Sequence, residues 1–254
     1  MKQQPNPEEI KPDIELLSDG PHEMVFNEGI GVIKNYMSKQ WCDILIDAFE
    51  MYNSKKLVKS VLFDTHSLDT CKDGEEQFDK GSLGRKDEGL FLEVADGGLA
   101  ANTNLVVGGG FDMYAKEYKG VIDSSDPLSS WTCKLQKTQA GGGYHQWHCE
   151  DGAFIYRDRV LTWMIYLNDI PYENGGATEF LHQKCSFQPT TGTAVYWPAT
   201  YTHMHRGGFL TGDTPKYIAT GWFLREPGQV TNRVITEKLG QPLPDTMLNG
   251  EQRS

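Results

Sequence analysis

Residues 160–168 read VLTWMIYLN, residues 192–198 read GTAVYWP and residues 216–226 read KYIATGWFLRE. Each is a short run of aromatic and β-branched residues that ends in Asn, Pro or a charged pair, the pattern of a β-strand bounded by turn formers. The same texture holds throughout the chain after Pro127. It recurs in WTCKLQKTQ (131–139), YHQWHCE (144–150), ATEFL (177–181), CSFQP (185–189) and HMHRGG (203–208). Eight short runs at this spacing predict an all-β sandwich or barrel, and eight strands in two sheets is the count of a jelly roll. The expected fold class is mainly β with flanking α-helices packed on the outside of one sheet.

Residues 1–22 are polar and rich in proline and read as a loose lead-in. GIGVIKNYM (29–37) alternates as a strand does. Ser38 then supplies an N-cap. Trp41, Ile44, Leu45, Ala48, Phe49 and Tyr52 follow at i, i+3, i+4, i+7 spacing, which predicts an amphipathic helix over 39–54. From 53 to 90 the chain is polar, rich in Gly, Asp and Lys, and without period. A connection of that length is expected to be a lid-like loop or a solvated insertion. A further helix is expected within 109–120. The organisation expected is one domain: support and lid-like loop in 1–127, catalytic core in 128–226, and a C-terminal tail, 227–254, packing on the core or trailing it.

The chain has 254 residues, and 24 Lys+Arg against 35 Asp+Glu leave a net charge of 24 − 35 = −11. So acidic a chain is not expected to bind nucleic acid or anionic lipid through bulk charge. No apolar run approaches the roughly 20 residues of a membrane span, and MKQQPNPEEIKPDIELL lacks the apolar core of a signal peptide. Five scattered cysteines without a CxxC pair predict reduced thiols, hence a cytoplasmic protein, and the acidic charge and lack of a span predict no membrane partner. The sequence leaves the oligomeric state open.

The chemistry concentrates in YHQWHCE. In a strand, residues two apart face the same way, so His148 and Glu150 are expected to point together, about 6–7 Å apart. An imidazole beside a carboxylate suits a borderline divalent metal. The third ligand is offered downstream by His203 or His205 in THMHRGG. Two histidines and one carboxylate make the facial set that holds non-heme Fe(II) and leaves coordination positions open. Lys216, eleven residues after His205, lies in an otherwise apolar strand, where a lysine must snorkel outward or meet an anion. A dicarboxylate co-substrate needs such a cation at its far end.

These residues resemble the Fe(II)/2-oxoglutarate-dependent dioxygenases, in particular the prolyl 4-hydroxylase-like catalytic domain. The resemblance runs over 131–226. It is carried by H-x-E at His148–Glu150, R-x-x-T-x-x-x-Y-L-N-D at Arg159–Asp169, G-G-x-T-x-F at Gly175–Phe180, H-R-G at His205–Gly207 and K-x-x-x-x-x-W at Lys216–Trp222. It implies a double-stranded β-helix, the jelly-roll fold shared with cupins. It implies His148, Glu150 and His205 as catalytic iron ligands. Lys216 would bind the C5 carboxylate of 2-oxoglutarate, with Thr178 and Trp222 lining that pocket and Tyr144 beside it. The implied reaction uses Fe(II), 2-oxoglutarate and O2, with ascorbate as an auxiliary reductant. It hydroxylates a C–H bond of a peptide or small-molecule substrate, a prolyl residue in a peptide by likeness to prolyl hydroxylases, and releases succinate and CO2.

The chain departs from that family in three ways. Glu150 stands where the family usually has Asp. The adjacent Asp151 would face the other side of an unbulged strand, so Glu150 is preferred. Tyr144 lies four residues before His148 rather than three. His203 and His205 share a face, and the H-R-G match with its spacing to Lys216 favours His205. His145 and Arg206 are expected to point away from the metal in structural or rim roles, and Trp147, Trp163 and Trp197 to fill the sandwich. Two other readings compete: a cupin-type metalloenzyme that does not use 2-oxoglutarate and employs both His203 and His205, and a non-catalytic jelly-roll binding protein.

Overall fold

The computed structural model describes residues 14–64, 83–123, 127–130, 132–153 and 156–225. Its strands are β1 (Glu23–Asn27), β2 (Ile30–Lys34), β3 (Lys59–Asp64), β4 (Leu83–Phe91), β5 (Leu128–Ser130), β6 (Lys134–Thr138), β7 (Gly143–Tyr144), β8 (Arg159–Tyr166), β9 (Thr178–Phe180), β10 (Cys185–Phe187), β11 (Ala194–Pro198), β12 (His205–Gly207) and β13 (Lys216–Arg225). The helices are α1 (Lys39–Ser54), α2 (Leu92–Ala95), α3 (Gly97–Glu117) and α4 (Gly120–Asp123). A large antiparallel sheet runs β1-β2-β11-β8-β13-β6-β4-β3, with β5 on β13 and β7 on β4. A small sheet, β10-β9-β12, faces it. This is the expected jelly roll.

The pleat of the central strands sorts residues between two cores. Leu161, Trp163 and Ile165 of β8, Ala194 and Tyr196 of β11, and Tyr217, Ala219 and Phe223 of β13 join the cluster shared with α1 and α3. The alternate residues Met164, Tyr166, Val195, Trp197 and Ile218 turn inward, with Phe180 of the small sheet. On β13 the remaining inward positions, Lys216, Thr220 and Trp222, line a cavity instead of an apolar core. A period of two thus separates structure from site along one strand.

Helix α1 forms where the periodicity predicts. Ser38 caps it by accepting a hydrogen bond from Trp41 N at 2.9 Å, and Trp41, Leu45, Ala48, Phe49 and Tyr52 are buried beneath it. Helix α3 begins at Gly97, well before the expected 109. Asp96 caps it, accepting from the amides of Gly98 and Leu99. The glycines and asparagines of GGLAANTNLVVGGG obscure that turn-rich start, but Gly110 earns its place against Tyr196, whose hydroxyl would collide with a Cβ there and which donates to Val107 O at 2.9 Å.

Three local expectations need correction. The unpatterned loop over 53–90 is partly sheet: β3 pairs with β4, and β4 pairs with β6. No hydrophobic alternation marks β4 because its cavity-side residues include the charged pair Arg85 and Asp87 rather than apolar ones. Residues 65–82 of the expected lid, like the tail from 226 onward, lie outside the described residues. Second, YHQWHCE is not a continuous strand; only Tyr144 belongs to β7, and His148 makes an isolated bridge with His205. Third, HMHRGG is a strand only from His205, because His203 closes a 3-10 turn over Tyr201–His203.

The junction of the two halves rests on Gly192. Its carbonyl accepts from the amides of Tyr36 and Met37, both at 3.0 Å, and its own amide donates to Tyr166 O at 2.8 Å. Gly192 has φ +74°, and a Cβ there would overlap the Met37 carbonyl. Both the left-handed backbone and the backbone contact disfavour any side chain. Gly192→Ala should therefore destabilise the protein by about 2 kcal/mol, seen as a fall of about 4–8 °C in melting temperature. An unchanged melting curve would contradict this account of the junction.

Candidate active site

The antiparallel bridge between His148 and His205 is built from two backbone hydrogen bonds, His148 N to His205 O and the reverse, each 3.0 Å. It places the two imidazoles 4.3 Å apart, centroid to centroid. Each ring is aimed by its own local chain: His148 Nδ1 meets Gln146 O at 2.9 Å, and His205 Nδ1 meets His203 O at 3.0 Å. A carbonyl can only accept, so Nδ1 carries a proton in each ring, which leaves Nε2 as the nitrogen turned toward a metal.

Glu150 completes the group. Its amide donates to Ala199 O at 2.8 Å, which turns the side chain back toward the histidines. Glu150 Oε1 lies 3.5 Å from His148 Nε2 and 3.3 Å from His205 Nε2, and the ligand atoms of the three residues fall within 4.8 Å of one another. Burial alone would raise the Glu150 carboxyl, but the two imidazoles outweigh it and hold it well below the usual carboxylate range. Burial, then the neighbouring His205, depresses His148, which favours the neutral ring. Two imidazole Nε2 atoms and one carboxylate oxygen are a donor set that fits a divalent transition metal, and the backbone acceptors behind the rings are the outer shell such a site needs.

Asp151 stays outside this group; its amide donates to Ala199 O at 3.2 Å and its carboxylate lies against the Cys149 thiol. His203 is excluded as well. Its Nε2 is engaged by Glu28 O and its Nδ1 by Thr202 Oγ1, both at 2.9 Å. The two-histidine cupin alternative built on His203 and His205 thus has no second free ring.

The group opens on a cavity of about 470 Å³, and all seven expected site residues line it. Tyr144 stacks on His148, with ring centroids 3.8 Å apart. Lys216 is buried on the inner face, and its Nζ donates to Gly176 O at 2.8 Å. The Gly-Gly pair makes that contact possible: Gly175 and Gly176 have φ +65° and +73°, and a Cβ on Gly175 would strike Phe209 O. Thr178 is held by Tyr166 Oη at 2.8 Å. Trp222 Nε1 is buried with no hydrogen-bond partner among the described residues. Desolvation lowers Lys216 to about 8. His145 is buried, with Nδ1 against Gly207 O and its ring on Phe209, a core-edge place away from the metal group. Arg206 pairs with Glu179 at 2.8 Å over the Trp147 ring, the expected rim role. Trp163 and Trp197 are core residues, whereas Trp147 is only half-buried.

Sequence reasoning quoted Arg159 only as part of a motif. Its Nη1 donates to Glu150 Oε2 at 3.0 Å and to Glu150 O at 3.1 Å, and its guanidinium lies 3.5 Å from the Trp222 ring centroid and 4.0 Å from that of Tyr156. It also missed Arg85 and Lys134, which line the cavity, and the buried Asp87 between them.

Comparison with known proteins agrees with this geometry. Residues 133–224 match the model of the 2OG-Fe(II) oxygenase superfamily. No curated protein sequence matches the chain. Among solved structures, the viral collagen prolyl hydroxylase of Paramecium Bursaria Chlorella virus-1 in its 2OG complex aligns with TM-score 0.55 and 18% identity, over 78% of this chain and 97% of that one. A Pseudomonas putida prolyl-4-hydroxylase aligns with TM-score 0.56 and 12% identity, over 78% and 93%. A Trichoplax adhaerens prolyl hydroxylase, solved with a hypoxia inducible factor oxygen degradation domain peptide fragment, aligns with TM-score 0.51 and 15% identity, over 77% and 83%. Residues 133–224 thus match the 2OG-Fe(II) oxygenase superfamily, and the chain shares the fold of these prolyl hydroxylases.

Proposed function

We propose that the protein hydroxylates a prolyl residue in a peptide, with His148, Glu150 and His205 holding Fe(II), 2-oxoglutarate and O2 as co-substrates, and ascorbate as auxiliary reductant. The observation that carries this reading is the convergence of His148 Nε2, His205 Nε2 and Glu150 Oε1 on one point of a cavity that also holds the buried Lys216. The prolyl substrate is supported by the likeness in fold to prolyl hydroxylases.

When bound, the iron supplies the oxidising power that couples decarboxylation of 2-oxoglutarate to C–H hydroxylation, giving succinate and CO2. The chain's own work is binding, orientation and exclusion of water. Lys216 meets the C5 carboxylate by a charge-assisted hydrogen bond, with Thr178 as a further polar contact, while Trp222, six residues along β13, lines the cavity at the Arg159–Glu150 end. Tyr144, stacked on His148, walls one side of the ring. Arg159 occupies the outer oxygen of Glu150, leaving Oε1 for the metal, and this second bond restrains an arm one methylene longer than aspartate's. Phe180 and Trp197 pack against the His205 ring at 5.8 and 5.0 Å and keep water from that flank.

Replacing His148, Glu150 or His205 with alanine should each abolish iron-dependent 2-oxoglutarate turnover and tight Mn(II) binding while the circular dichroism spectrum survives. His203→Ala should retain both. Turnover that persists in His205→Ala but not in His203→Ala would overturn the ligand set.

Lys216→Ala should raise the KM for 2-oxoglutarate by about one to two orders of magnitude, the worth of a hydrogen bond to a charged group. The pH dependence has a definite sign. With its ammonium depressed from 10.5 to about 8, Lys216 is charged in both folded and unfolded chains below pH 8, and burial then costs on the order of 3 kcal/mol. Between pH 8 and 10.5 the unfolded chain holds more protons, so stability rises with pH. Lys216→Met should accordingly melt higher than the wild type below pH 8, with the gap closing toward pH 10.5. Over the same range the wild type should lose 2-oxoglutarate affinity. An affinity flat from pH 7 to 10 would argue against Lys216 as the anchor.

A further inference from the structure

The two carboxylates of 2-oxoglutarate are accounted for in the reading above, one at the metal end and one at Lys216. The cavity nonetheless contains a second lysine, half-buried Lys134. Lys134, Gln136 and Thr138 alternate along the inner face of β6. Thr138 is in register with Lys216, and Lys134 with Thr220. Four residues of strand separate the two levels, about 13 Å at 3.3 Å per residue. Lys134 and Lys216 therefore occupy different levels of the barrel, and one co-substrate anchored at Lys216 does not explain the other.

The neighbours of Lys134 leave it short of negative charge. Its Nζ meets Gln136 Oε1 at 3.2 Å, a neutral acceptor, and its closest carboxylate oxygen is Asp87 Oδ1 at 4.0 Å. Asp87 is already held by Arg85, Nε to Oδ2 at 2.7 Å and Nη2 to Oδ1 at 3.2 Å. Two cations, Arg85 and Lys134, thus flank one carboxylate, Asp87, while the next carboxylate that acts on Lys134, Glu150, is already paired with Arg159. All three are sheltered, with side-chain exposures of 17% for Arg85, 11% for Lys134 and 0% for Asp87. The sheet makes room for this arm. Gly89 of β4 lies beneath it, and a Cβ there would come within 2.5 Å of Lys134 Cε and 3.1 Å of Nζ. Burial first, then the nearby Arg85, lowers Lys134 to about 8, as expected of a cation lacking a full counter-charge. An excess positive charge inside a protein is costly unless a partner arrives to meet it.

We propose that Lys134, backed by Arg85, is a second anion anchor that receives a carboxylate of the primary substrate and so selects substrates bearing one close to the reacting carbon. This deepens, and rests on, the prolyl hydroxylase reading. The carboxylate can come from two sources, the α-carboxylate of a free or C-terminal proline or an acidic side chain beside a peptidyl proline.

The test uses the full chain loaded with Mn(II) and saturating 2-oxoglutarate, so that Lys216 is occupied. Calorimetric titration compares N-acetyl-L-proline with N-acetyl-L-prolinamide, and acetyl-Pro-Asp-amide with acetyl-Pro-Asn-amide. In at least one pair the carboxylate member should bind about tenfold more tightly than its neutral partner. Lys134→Met should bring that ratio close to one, and Lys134→Arg should preserve it. The pair that shows the preference identifies the source of the carboxylate. A ratio near one for the wild type in both pairs overturns the proposal whether or not the variants fold. Equal weakening of both members by Lys134→Met also overturns it, because that is what a structural role predicts. A carboxylate preference in a protein that fails to bind 2-oxoglutarate would uphold the anchor and overturn the oxygenase reading instead.

Discussion

The paired backbone hydrogen bonds between His148 and His205 are the constraint on which the site depends. They tie an irregular segment, which has no place in either sheet, to the edge of the three-stranded one. Glu150 can face the same point only because His148 is fixed two residues earlier and its own amide is held by Ala199. The rings are then aimed by carbonyls two residues back in their own chains, so the donor set is oriented before any ligand arrives. Preorganisation of this kind is what a metal site needs if its geometry is not to be paid for on binding.

The large sheet carries both the apolar core and the cavity, and strand parity keeps them apart. On β13 the residues facing the helices are Tyr217, Ala219 and Phe223, while Lys216, Thr220 and Trp222 face inward. The inward face is apolar where it meets Phe180 and Trp197 and charged where it meets β4 and β6. Such charges inside a barrel are tolerable only as partners of one another or of something bound. Arg159 with Glu150, and Arg85 with Asp87, are of the first kind. Lys216 and Lys134 are proposed to be of the second.

Much of this was legible in the sequence where local pattern and local structure coincide. Strands β6, β8, β11 and β13 and helix α1 lie where alternation and periodicity place them. The triad residues were reached from a premise that fails in detail. His148 and Glu150 do converge, but through a bridge and a bend rather than the parity of a continuous strand. His203 shared a face with His205 on paper only, because the 3-10 turn at Tyr201–His203 rotates it toward Glu28. Strand β4 was invisible because its cavity-side residues are charged, and hydrophobic alternation cannot report a strand whose inner face is polar. Arg159 and Lys134 are lessons of another kind. The rule that singled out Lys216, a lysine within an apolar strand, applies equally to Lys134 in WTCKLQKTQ. Which of those lysines turns inward depends on register with β4 and β13, and register is a long-range property.

The cationic interior sits inside a chain whose net charge is −11. On the proposed reading, a dianion approaching from solution would first meet a repulsive field and find attraction only at short range, where Lys216 and Lys134 lie between low-dielectric walls. The two fields respond differently to ionic strength. At 0.1 M salt the outer one is screened beyond about 10 Å, while the buried cations are largely shielded from the counter-ions. Capture of a free dianion should therefore speed up as salt rises from very low levels, the reverse of ordinary electrostatic steering. With a net charge of −11, the chain would on the proposed reading slow small free anions more than a substrate that brings its carboxylate within an otherwise neutral chain.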